Sequence, residues 1–257
     1  MSIKGVVMTK ILVMGICGNM GSRIAALAKE DSGIEMVGGT ELKDSPAIYG
    51  SQIVDDLNKV IDKADVLIDF TTIPSTLNNL KIAEKAKKAM IIGTTGFKDE
   101  ELAVIKNASK NIPIVLSPNM SVGINLLFKL VKEIAQVVPH YDIEIVEAHH
   151  NQKKDAPSGT AVKLAQEINS VLDNKLKKVT GRDGICGPRE KNEIGILSVR
   201  AGDIVGDHTI MYAGPGERIE LTHRAHSRDI FASGALVAAK WISGKKPGLY
   251  NMQDVLF

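Results

Sequence analysis

The chain has few cysteines, no long apolar run and almost no net charge, and each shortage excludes a class of protein. Its 257 residues include only Cys17 and Cys186, too few for a disulfide framework or a zinc-finger spacing, which favours a reducing compartment. No run approaches the roughly 18 apolar residues of a membrane span. The formal net charge is +2 at pH 7, which predicts neither nucleic acid nor a membrane as a partner. We therefore expect a soluble, cytoplasmic protein.

The first 120 residues alternate short apolar runs with helical patterns. The predicted strands are "KILVMG", "IEMVGG", "ADVLIDF", "AMIIGT" and "IPIVLS", and the predicted helices are "GSRIAALAKE", "STLNNLKIAEKAKK" and "DEELAVIKNASK". Strands that alternate with helices predict a parallel sheet with helices on both faces. The strands are apolar almost throughout, as expected when both faces of a sheet are covered. This part of the chain is therefore predicted to have an α/β fold.

The pattern changes after Asn119. A long helix is predicted through "SVGINLLFKLVKEIAQVV", and an apolar helix is predicted through "RDIFASGALVAAKWISGK", ending near Gly244. Between them, apolar and polar residues alternate in "YDIEIVEA", "EIGILSVR", "DHTIMYAG" and "ERIELTHR". Strands with a period of two indicate a sheet that has one open face. That face must be solvated or covered by another subunit.

A glycine-rich turn, "MGICGNMGSRI", follows the first predicted strand and opens the first helix. Gly15, Gly18 and Gly21 permit a tight turn, a close approach of the backbone to a diphosphate, and close packing of helix on strand. The spacing is G-x-x-G-x-x-G, because Cys17 stands where the usual dinucleotide fingerprint has glycine. A turn that only packs is the alternative interpretation.

Glu41 lies twenty residues beyond Gly21, at the end of the second predicted strand. An acidic residue at this place accepts hydrogen bonds from the ribose hydroxyls of a dinucleotide. Leu42 follows it instead of an arginine, so no guanidinium adjoins it to bind a 2′-phosphate, and Lys43 would do so weakly. We expect NADH to be accepted at least as well as NADPH.

Two later segments, Asp69 to Pro74 and Gly93 to Phe97, follow strands of the same predicted sheet. Ligands of open α/β sheets bind outside the carboxyl ends of the strands. The backbone N–H groups of these small, polar loops could contact a ribose or a nicotinamide amide. Taken alone, each segment could equally be an ordinary loop.

The segment "EAHHNQKKDAPSGTA", residues Glu147 to Ala161, joins a predicted strand to a predicted helix. Ser158, Gly159 and Thr160 fall at the helix N-terminus, where free N–H groups and the helix dipole favour an anion. His149, His150 and Lys153 are close enough in sequence to share one space. The combination suits the binding of carboxylates together with proton donation.

This loop has three other interpretations. A metal site is disfavoured, since His149 and His150 face opposite ways on a strand and no third ligand has a suitable spacing. A serine hydrolase is disfavoured because Ser158 lacks the G-x-S-x-G elbow. A solvated connection to a capped helix stays open on the chemistry alone.

Taken together, six segments resemble the dihydrodipicolinate reductase (4-hydroxy-tetrahydrodipicolinate reductase) family. They are "GICGNMGSRI", "GTTGF", "SPNMSVGIN", "EAHHNQKKDAPSGTA", "RAGDIVGDHTI" and "GERIELTHRAHSRDIFASGAL". The matches run in order from about Lys10 to the C-terminus, and the histidine–lysine string is the most specific of them.

The resemblance implies two domains and a reaction. A Rossmann-like dinucleotide-binding domain would comprise residues 1–120 and 229–257. A substrate-binding and tetramerisation domain with an open mixed sheet would comprise 121–228, giving a homotetramer. The family's enzymes, which use NADH or NADPH, reduce a cyclic dicarboxylate, 4-hydroxy-tetrahydrodipicolinate, to tetrahydrodipicolinate in lysine and diaminopimelate biosynthesis.

The resemblance also implies roles for individual residues. His149 matches the proposed acid/base residue and Lys153 the proton donor, whereas Lys154 falls on a variable position. Substrate-carboxylate contacts would come from His150, Gly159 and Thr160. The cofactor-binding positions would be Gly15, Ile16, Cys17, Gly18, Asn19, Met20, Glu41, Gly93, Thr94, Thr95, Ser117, Pro118, Asn119 and Met120.

This sequence departs from the family's pattern at a few positions. Cys17 stands where many members have glycine and Met120 where many have phenylalanine, and the missing arginine after Glu41 puts strict use of NADPH in doubt. Residues 178–193 match nothing and are assigned no role. One alternative function is another Rossmann dehydrogenase, such as an amino-acid or a semialdehyde dehydrogenase; the semialdehyde type needs a nucleophilic cysteine, and neither Cys17 nor Cys186 is well placed for it. The other is a dinucleotide-sensing regulatory module, which would leave the histidine–lysine loop unexplained.

Overall fold

A computed structural model describes residues 8–41 and 53–257 of the chain. The chain divides into two units, which we call unit 1 (Met1–Val122 with Asp229–Phe257) and unit 2 (Gly123–Arg228). Within the described ranges, no helix has the length and apolar character needed to traverse a bilayer. Each unit has its own hydrophobic core.

The described ranges contain twelve strands and seven α-helices. The strands are β1 (Thr9–Met14), β2 (Ile34–Thr40), β3 (Ile53–Val54), β4 (Val66–Asp69), β5 (Ala89–Ile92), β6 (Pro113–Leu116), β7 (Asp142–His149), β8 (Lys177–Val179), β9 (Glu193–Arg200), β10 (Gly206–Gly214), β11 (Glu217–Ala225) and β12 (Gly248–Tyr250). The helices are α1 (Asn19–Glu30), α2 (Ile73–Lys85), α3 (Asp99–Ala108), α4 (Val122–Val137), α5 (Gly159–Ser170), α6 (Asp229–Ile242) and α7 (Met252–Leu256).

Unit 1 is built on a parallel sheet with the order β12-β6-β5-β4-β1-β2-β3 in the residues that the structure describes. Helices α1, α6 and α7 pack on one face and α2 and α3 on the other, each through its buried apolar residues. The central strands β4 and β5 have no exposed residue, as the nearly continuous apolar runs predict. The α/β prediction is therefore confirmed.

The order of the strands in unit 1 reverses at β1. The chain passes through α1 to β2 on one side of β1, whereas β4 pairs with β1 on the other side. Loops that leave the carboxyl ends of two such strands diverge and leave a crevice, where open α/β sheets bind ligands. The glycine-rich turn and the loop after Asp69 are the two loops at this point.

Unit 2 contains a mixed sheet with the order β11-β10-β7-β9-β8. The pairs β7–β9 and β8–β9 are parallel, and β10 is antiparallel to both β7 and β11. Helices α4 and α5 cover one face, where Ile143, Ile145 and Tyr212 belong to the core. On the other face Leu197 and Val199 are exposed. The prediction of an open face is confirmed.

Four short elements were not predicted from the sequence: β3, β8, β12 and α7. Strands β3 and β12 have two and three residues, and each pairs with a single neighbour at an edge of the unit 1 sheet. Segments this short carry no periodicity of their own, so their pairing depends on the sheet beside them.

Candidate functional site

A cavity of about 590 Å³ opens in unit 1 outside the carboxyl ends of β1, β2 and β4. Its lining is mostly small and polar and consists of Gly15, Gly18, Thr40, Glu41, Asp55, Asp56, Leu57, Phe70, Thr71, Thr72, Ser75, Asn78, Asn79 and Ile82. Three of the predicted cofactor-binding residues, Gly15, Gly18 and Glu41, are among them. The cavity lies at the point where the strand order reverses.

The glycine-rich turn can follow its path only with glycine at defined positions. Gly15 has φ +65°, a left-handed conformation that favours glycine. A Cβ added to Gly21 would lie 2.1 Å from the carbonyl oxygen of Gly15, so α1 packs against the turn at backbone distance. Helix α1 then begins at Asn19 with Gly18 as its N-cap, which directs the helix N-terminus toward the turn.

Glu41 is tied to this turn by a hydrogen bond. Its Oε2 accepts from the backbone N–H of Cys17 at 2.9 Å, and the backbone N–H of Ile16 donates to the carbonyl of Thr40. The turn therefore presents a helix N-terminus, suited to a diphosphate, beside a carboxylate suited to ribose hydroxyls. This arrangement, which a side chain at Gly21 would disrupt by clashing with the backbone of the turn, fits a dinucleotide.

Asp69 organises the loops beside the cavity. Its side chain is fully buried at the carboxyl end of β4, and its oxygens accept from Thr71 N (2.9 Å), Thr71 Oγ1 (2.7 Å), Thr76 Oγ1 (3.0 Å) and Asn79 Nδ2 (2.8 Å). The Thr76 hydroxyl lies 2.9 Å from the hydroxyl of Thr94. One carboxylate thus joins the loop after β4, the first turns of α2 and the loop after β5.

The loop after β5 holds the next three predicted cofactor residues. A Cβ added to Gly93 would lie 2.2 Å from Cε1 of the Phe70 ring, so this position too requires glycine. Thr94 is buried and Thr95 is exposed.

Hydrogen bonds between residues close in sequence hold the segment Ser117–Met120. The Ser117 hydroxyl donates to the carbonyl oxygen of Asn119 at 2.8 Å, and the Asn119 side chain accepts from the N–H of Ser121 at 2.9 Å. Pro118 is exposed. Met120 is buried in the core, and its carbonyl oxygen lies 1.8 Å from where a Cβ on Gly234 would be.

The remaining predicted residues of the glycine-rich turn differ in how far their side chains are buried. Ile16 is fully buried in the same core as Met120, so both could meet a cofactor only through the backbone. Cys17 and Met20 are half-buried, and Asn19 is exposed at the start of α1.

In unit 2 the apolar face of the sheet becomes polar at one end. On β7, Glu147 and His149 continue the face that Ile143 and Ile145 form farther along the strand, because alternate residues share a face. By register, Glu147 is opposite His208 on β10, and His149 is opposite Arg200 on β9. The polar residues therefore form a cluster on the side that carries α5.

Glu147 is the centre of this cluster and is fully buried. It accepts from Arg200 Nη1 at Oε2 and from Arg200 Nη2 at Oε1, both at 2.8 Å. Nδ1 of His149 lies 2.6 Å from Oε2. The N–H of Ser158, just before α5, donates to Oε1 at 3.1 Å. The carboxylate therefore links two strands to the start of a helix.

The cluster fixes the protonation state of two buried groups. Burial raises the pKa of Glu147, but hydrogen bonds from Arg200 and His149 outweigh burial and lower this pKa to about 2. Burial lowers the pKa of His208 to about 3, with the positive charge of a protonated His149 acting in the same direction. At neutral pH, Glu147 is therefore an anion and His208 is uncharged.

His208 contacts both His149 and the start of α5. The His208 and His149 rings meet edge to face with centroids 5.3 Å apart. Nε2 of His208 lies 3.1 Å from the Ser158 hydroxyl, which also accepts from the N–H of Ala161 at 3.2 Å. The prediction that Ser158 lies at a helix N-terminus is confirmed, since it is the N-cap of α5.

The other predicted residues of this loop lie around the same helix start. Lys153 Nζ is 2.8 Å from Asp155 Oδ1, and the Lys153 side chain is only 21% exposed. Gly159 is the first residue of α5 and Thr160 the second. His150 is half-buried, and its carbonyl oxygen accepts from the N–H of Lys153 at 3.1 Å.

Among residues 8–41 and 53–257, no cluster of three or more histidine, cysteine, aspartate or glutamate side chains has the geometry to hold a metal ion. The sequence interpretation assigned no role to four polar residues that position the predicted ones, three of them buried and the arginine half-buried. They are Asp69, Glu147, Arg200 and His208. A signal was present for Glu147 and Arg200, because each continues the apolar face of its strand with a charged residue.

Two family models match this chain. The model described as "Dihydrodipicolinate reductase, N-terminus" matches residues 9–120, and the one described as "Dihydrodipicolinate reductase, C-terminus" matches residues 123–256. The two matched segments meet close to the division between units 1 and 2.

Relatives and a solved structure show the same similarity along the whole chain. The chain is 50% identical over 263 residues to the 4-hydroxy-tetrahydrodipicolinate reductase of Geobacter metallireducens, with 97% of this chain and 99% of that protein covered. It is 47% identical over 264 residues, with the same coverage, to the protein of that name from Geotalea uraniireducens. The dipicolinate-bound dihydrodipicolinate reductase from Paenisporosarcina sp. TG-14 superposes with a TM-score of 0.83 and 28% identity, covering 97% of this chain and 100% of that one.

Proposed function

The chain belongs to the dihydrodipicolinate reductase family, and from this premise we infer that it reduces 4-hydroxy-tetrahydrodipicolinate to tetrahydrodipicolinate. It is an NAD(P)H-dependent oxidoreductase of lysine and diaminopimelate biosynthesis, acting on a small molecule. The observation that carries the assignment to particular residues is the polar end of the unit 2 sheet. There an imidazole, a guanidinium and the residue that begins a helix all hydrogen-bond to one buried carboxylate, Glu147, and the Lys153 ammonium belongs to the loop that joins the same strand to that helix.

We propose that the start of α5 binds the carboxylates of the substrate. Gly159 and Thr160 are its first two residues, and an α-helix of 12 residues has N–H groups and a dipole that favour an anion at this end. Nothing lies within 4 Å of the position that a Cβ on Gly159 would take, so the backbone there is accessible. His150 would add a further donor to a carboxylate.

We propose that His149 and Lys153 handle the protons of the reaction. The 4-hydroxyl of the substrate leaves as water, and the hydride added to the conjugated C=N system that results must be accompanied by a proton, which a positioned acid can supply. The Lys153 ammonium both neutralises a substrate carboxylate and can donate that proton. In the structure it is paired with Asp155, so a substrate carboxylate would compete with an exposed side chain for it.

We propose that unit 1 binds the cofactor through its glycine-rich turn and cavity. When bound, the reduced nicotinamide supplies the hydride, and the protein supplies binding and orientation. Gly15 to Met20 would hold the diphosphate, Glu41 the adenosine ribose, and Gly93–Thr95 with Ser117–Met120 the nicotinamide end. Asp69 supports this arrangement, because its hydrogen bonds hold the loops after β4 and β5 in position.

We propose that four copies of the chain assemble through the open face of the unit 2 sheet and that the enzyme works in the cytoplasm. The exposed apolar residues on this face support the assembly, since a sheet face that carries Leu197 and Val199 is better covered than solvated. Light scattering measures the mass directly. A mass of about four chains supports the proposal, and a monomer contradicts it.

The reaction is tested by following the absorbance of NADH or NADPH after adding freshly made substrate from the preceding synthase. We expect the absorbance to fall only when enzyme, cofactor and substrate are all present. The Lys153→Ala variant serves as a matched protein control, because it should bind cofactor and turn over slowly. No oxidation of either cofactor by the unmodified protein would contradict the proposed function.

A further inference from the structure

Glu147 has more hydrogen-bond donors around it than an ordinary surface carboxylate has. Its side chain has no exposed area, and both oxygens accept two hydrogen bonds each: Oε1 from Arg200 Nη2 and Ser158 N, Oε2 from Arg200 Nη1 and His149 Nδ1. Burial of a charged carboxylate is strongly unfavourable unless it is paired and hydrogen-bonded. The Ser198 side chain adds a further hydrogen bond to Glu147, and together these donors keep the carboxylate ionised next to a histidine that the proposed reaction uses.

Arg200 is itself fixed, so it holds Glu147 in one orientation. Beyond the two-pronged contact with Glu147, its Nη2 donates to the carbonyl oxygen of Asp155 at 2.7 Å, and its Nη1 donates to that of Val199 at 2.6 Å. A planar guanidinium that grips both oxygens of a carboxylate restricts rotation of that carboxylate. The oxygen that faces His149 is therefore set by a residue of the neighbouring strand.

The contact with Glu147 determines which nitrogen of His149 carries the proton. An ionised carboxylate has only acceptors, so Nδ1 of His149 must donate to it. In the uncharged ring, Nε2 is then the nitrogen with a free lone pair. Nε2 lies beside Gly206, where an added Cβ would be 3.0 Å from it, so glycine at this position keeps the space around that atom open.

We propose that Glu147 is the positioning residue of His149: it fixes the proton on Nδ1 and thereby makes Nε2 the atom that exchanges protons with the substrate. Arg200 contributes indirectly, because it orients the Glu147 carboxylate. The inference rests on the proposed function of His149 and adds to it the atom that acts and the two residues that select it. Neither Glu147 nor Arg200 would touch the substrate for this purpose.

A purely structural ion pair is the competing explanation, and it predicts a different pattern of kinetic effects. If Glu147 only stabilises the fold, its loss lowers the amount of folded enzyme and leaves the kcat of the folded fraction unchanged. If Glu147 acts through His149, its loss lowers kcat and has no further effect once His149 is gone. Residues that act as a unit show this non-additivity.

The test is a double-mutant cycle on the full-length enzyme with Glu147→Gln, His149→Gln and the double variant. We expect Glu147→Gln to lower kcat about 10²-fold, the lower end of the range for acid–base catalysis, with the KM for substrate changed less than about threefold, since the substrate contacts remain. The double variant should be no more than about twofold slower than His149→Gln. Fully multiplicative losses, or a wild-type kcat for Glu147→Gln, would overturn the proposal.

Glu167→Gln is the matched control. Glu167 also lies in unit 2 and is also ion-paired, with Lys132 at 3.0 Å and Lys163 at 2.7 Å, but it has no contact with His149. It should keep the wild-type kcat and KM. Loss of kcat in this variant comparable with that in Glu147→Gln would mean that any broken ion pair in unit 2 has the same effect, which overturns the proposal.

A measurement on the unmodified enzyme covers the case in which Glu147→Gln does not fold. The ¹⁵N resonances of the imidazole rings report which nitrogen carries the proton, and the His149 signals are assigned by their absence from His149→Gln. At a mildly alkaline pH we expect the proton on Nδ1 of His149, and a proton on Nε2 would overturn the proposal. An enzyme without reductase activity would instead contradict the proposed function, so the two failures are distinguishable.

Discussion

Units 1 and 2 each contain a fully buried carboxylate at the carboxyl end of a central strand, but they satisfy it in opposite ways. Asp69 in unit 1 accepts from hydroxyl, amide and backbone groups that carry no charge. Glu147 in unit 2 accepts from an arginine and a histidine as well as from the backbone. Within the described residues, the first carboxylate joins loops and the second joins groups that can carry charge.

The difference matches the role proposed for each unit. Uncharged donors hold the loops around the unit 1 cavity without placing a positive charge near the proposed cofactor site. Charge-assisted hydrogen bonds are stronger, roughly 1.5–3 kcal/mol against about 1 kcal/mol for uncharged ones, and they also select protonation states. We therefore propose that the carboxylate of unit 1 maintains the shape of the cavity, whereas that of unit 2 controls which atoms carry protons.

The largest effect is expected for a variant that should impair the proposed proton transfer in unit 2 and leave cofactor binding by unit 1 unchanged. Lys153→Ala should lower kcat about 10²-fold or more, because an acid that supplies the proton of reduction contributes on this scale. The Kd for NADH, measured by fluorescence titration, should stay the same. Lys154→Ala is the matched control, since Lys154 is the exposed neighbour, and it should be close to wild type. Equal losses in the two variants would remove Lys153 from the mechanism.

Acid should destabilise the charged cluster of unit 2. Glu147 has a folded-state pKa of about 2 against an ordinary 4.5, so its stabilisation is complete above pH 4.5 and is lost between there and pH 2. His208 has a folded-state pKa of about 3 against an ordinary 6.5, so its contribution is complete above pH 6.5 and is lost as the pH falls toward 3. The free energy of unfolding should therefore fall by roughly 4 kcal/mol from pH 7 to pH 4, mostly through His208.

Urea denaturation followed by circular dichroism at several pH values measures this loss. His208→Asn should flatten the dependence between pH 6.5 and pH 4, because the buried imidazole is gone. The matched control is His140→Asn, which changes an exposed histidine of the same unit and should leave the dependence unchanged. If His208→Asn has the wild-type pH dependence, His208 is not the source of the acid sensitivity.

Asp69→Asn tests whether the uncharged network of unit 1 maintains the shape of the cavity. The amide replaces one accepting oxygen with a donor that faces threonine and asparagine donors, which should loosen the loops and raise the Kd for NADH about tenfold, equivalent to about 1.4 kcal/mol. The kcat at saturating NADH should change little. Asp65→Asn, at the exposed opposite end of β4, is the control. A Kd within twofold of wild type would contradict the role assigned to Asp69.

The smallest expected effect concerns which cofactor unit 1 prefers. Glu41, Asp55 and Asp56 all line the cavity and would repel a 2′-phosphate, whereas Leu42 and Lys43 lie outside the described residues. We expect kcat/KM for NADH to equal or exceed that for NADPH. Glu41→Gln should shift the ratio toward NADPH by less than about tenfold. A strong preference of the unmodified enzyme for NADPH would contradict the prediction.

Local patterns in the sequence were sufficient for most elements of the fold. The apolar runs of β1, β4 and β5 and the alternation in β7 and β10 follow directly from whether one or both faces of a strand are covered. The start of α5 at Ser158 and Gly159 was predicted because capping depends on neighbouring residues. The short helix α7 carries a readable signal as well, since Asn251 and Asp254 form a capping box.

The partners of the candidate site residues could not be predicted in the same way. Glu147 and Arg200 are 53 residues apart and Ser158 and His208 are 50 apart, and no periodicity connects them. Their contacts depend on the register in which β7, β9 and β10 pair, and a shift of one residue would turn every side chain to the other face. Asp69 was named only as the start of a loop, because its burial depends on α2 and on the loop after β5.

The sequence by itself determined which residues can do chemistry and which of the longer segments are strands and helices, since these depend on side-chain type and on spacing along one element. Tertiary structure alone decided that Glu147 is buried against Arg200 and His149, and that Asp69 is surrounded by uncharged donors. The physical reason is that burial and hydrogen bonding between distant segments set the charge of a carboxylate and the proton on an imidazole. Neither the charge nor the protonated nitrogen can be assigned to a residue before its neighbours in the folded structure are known.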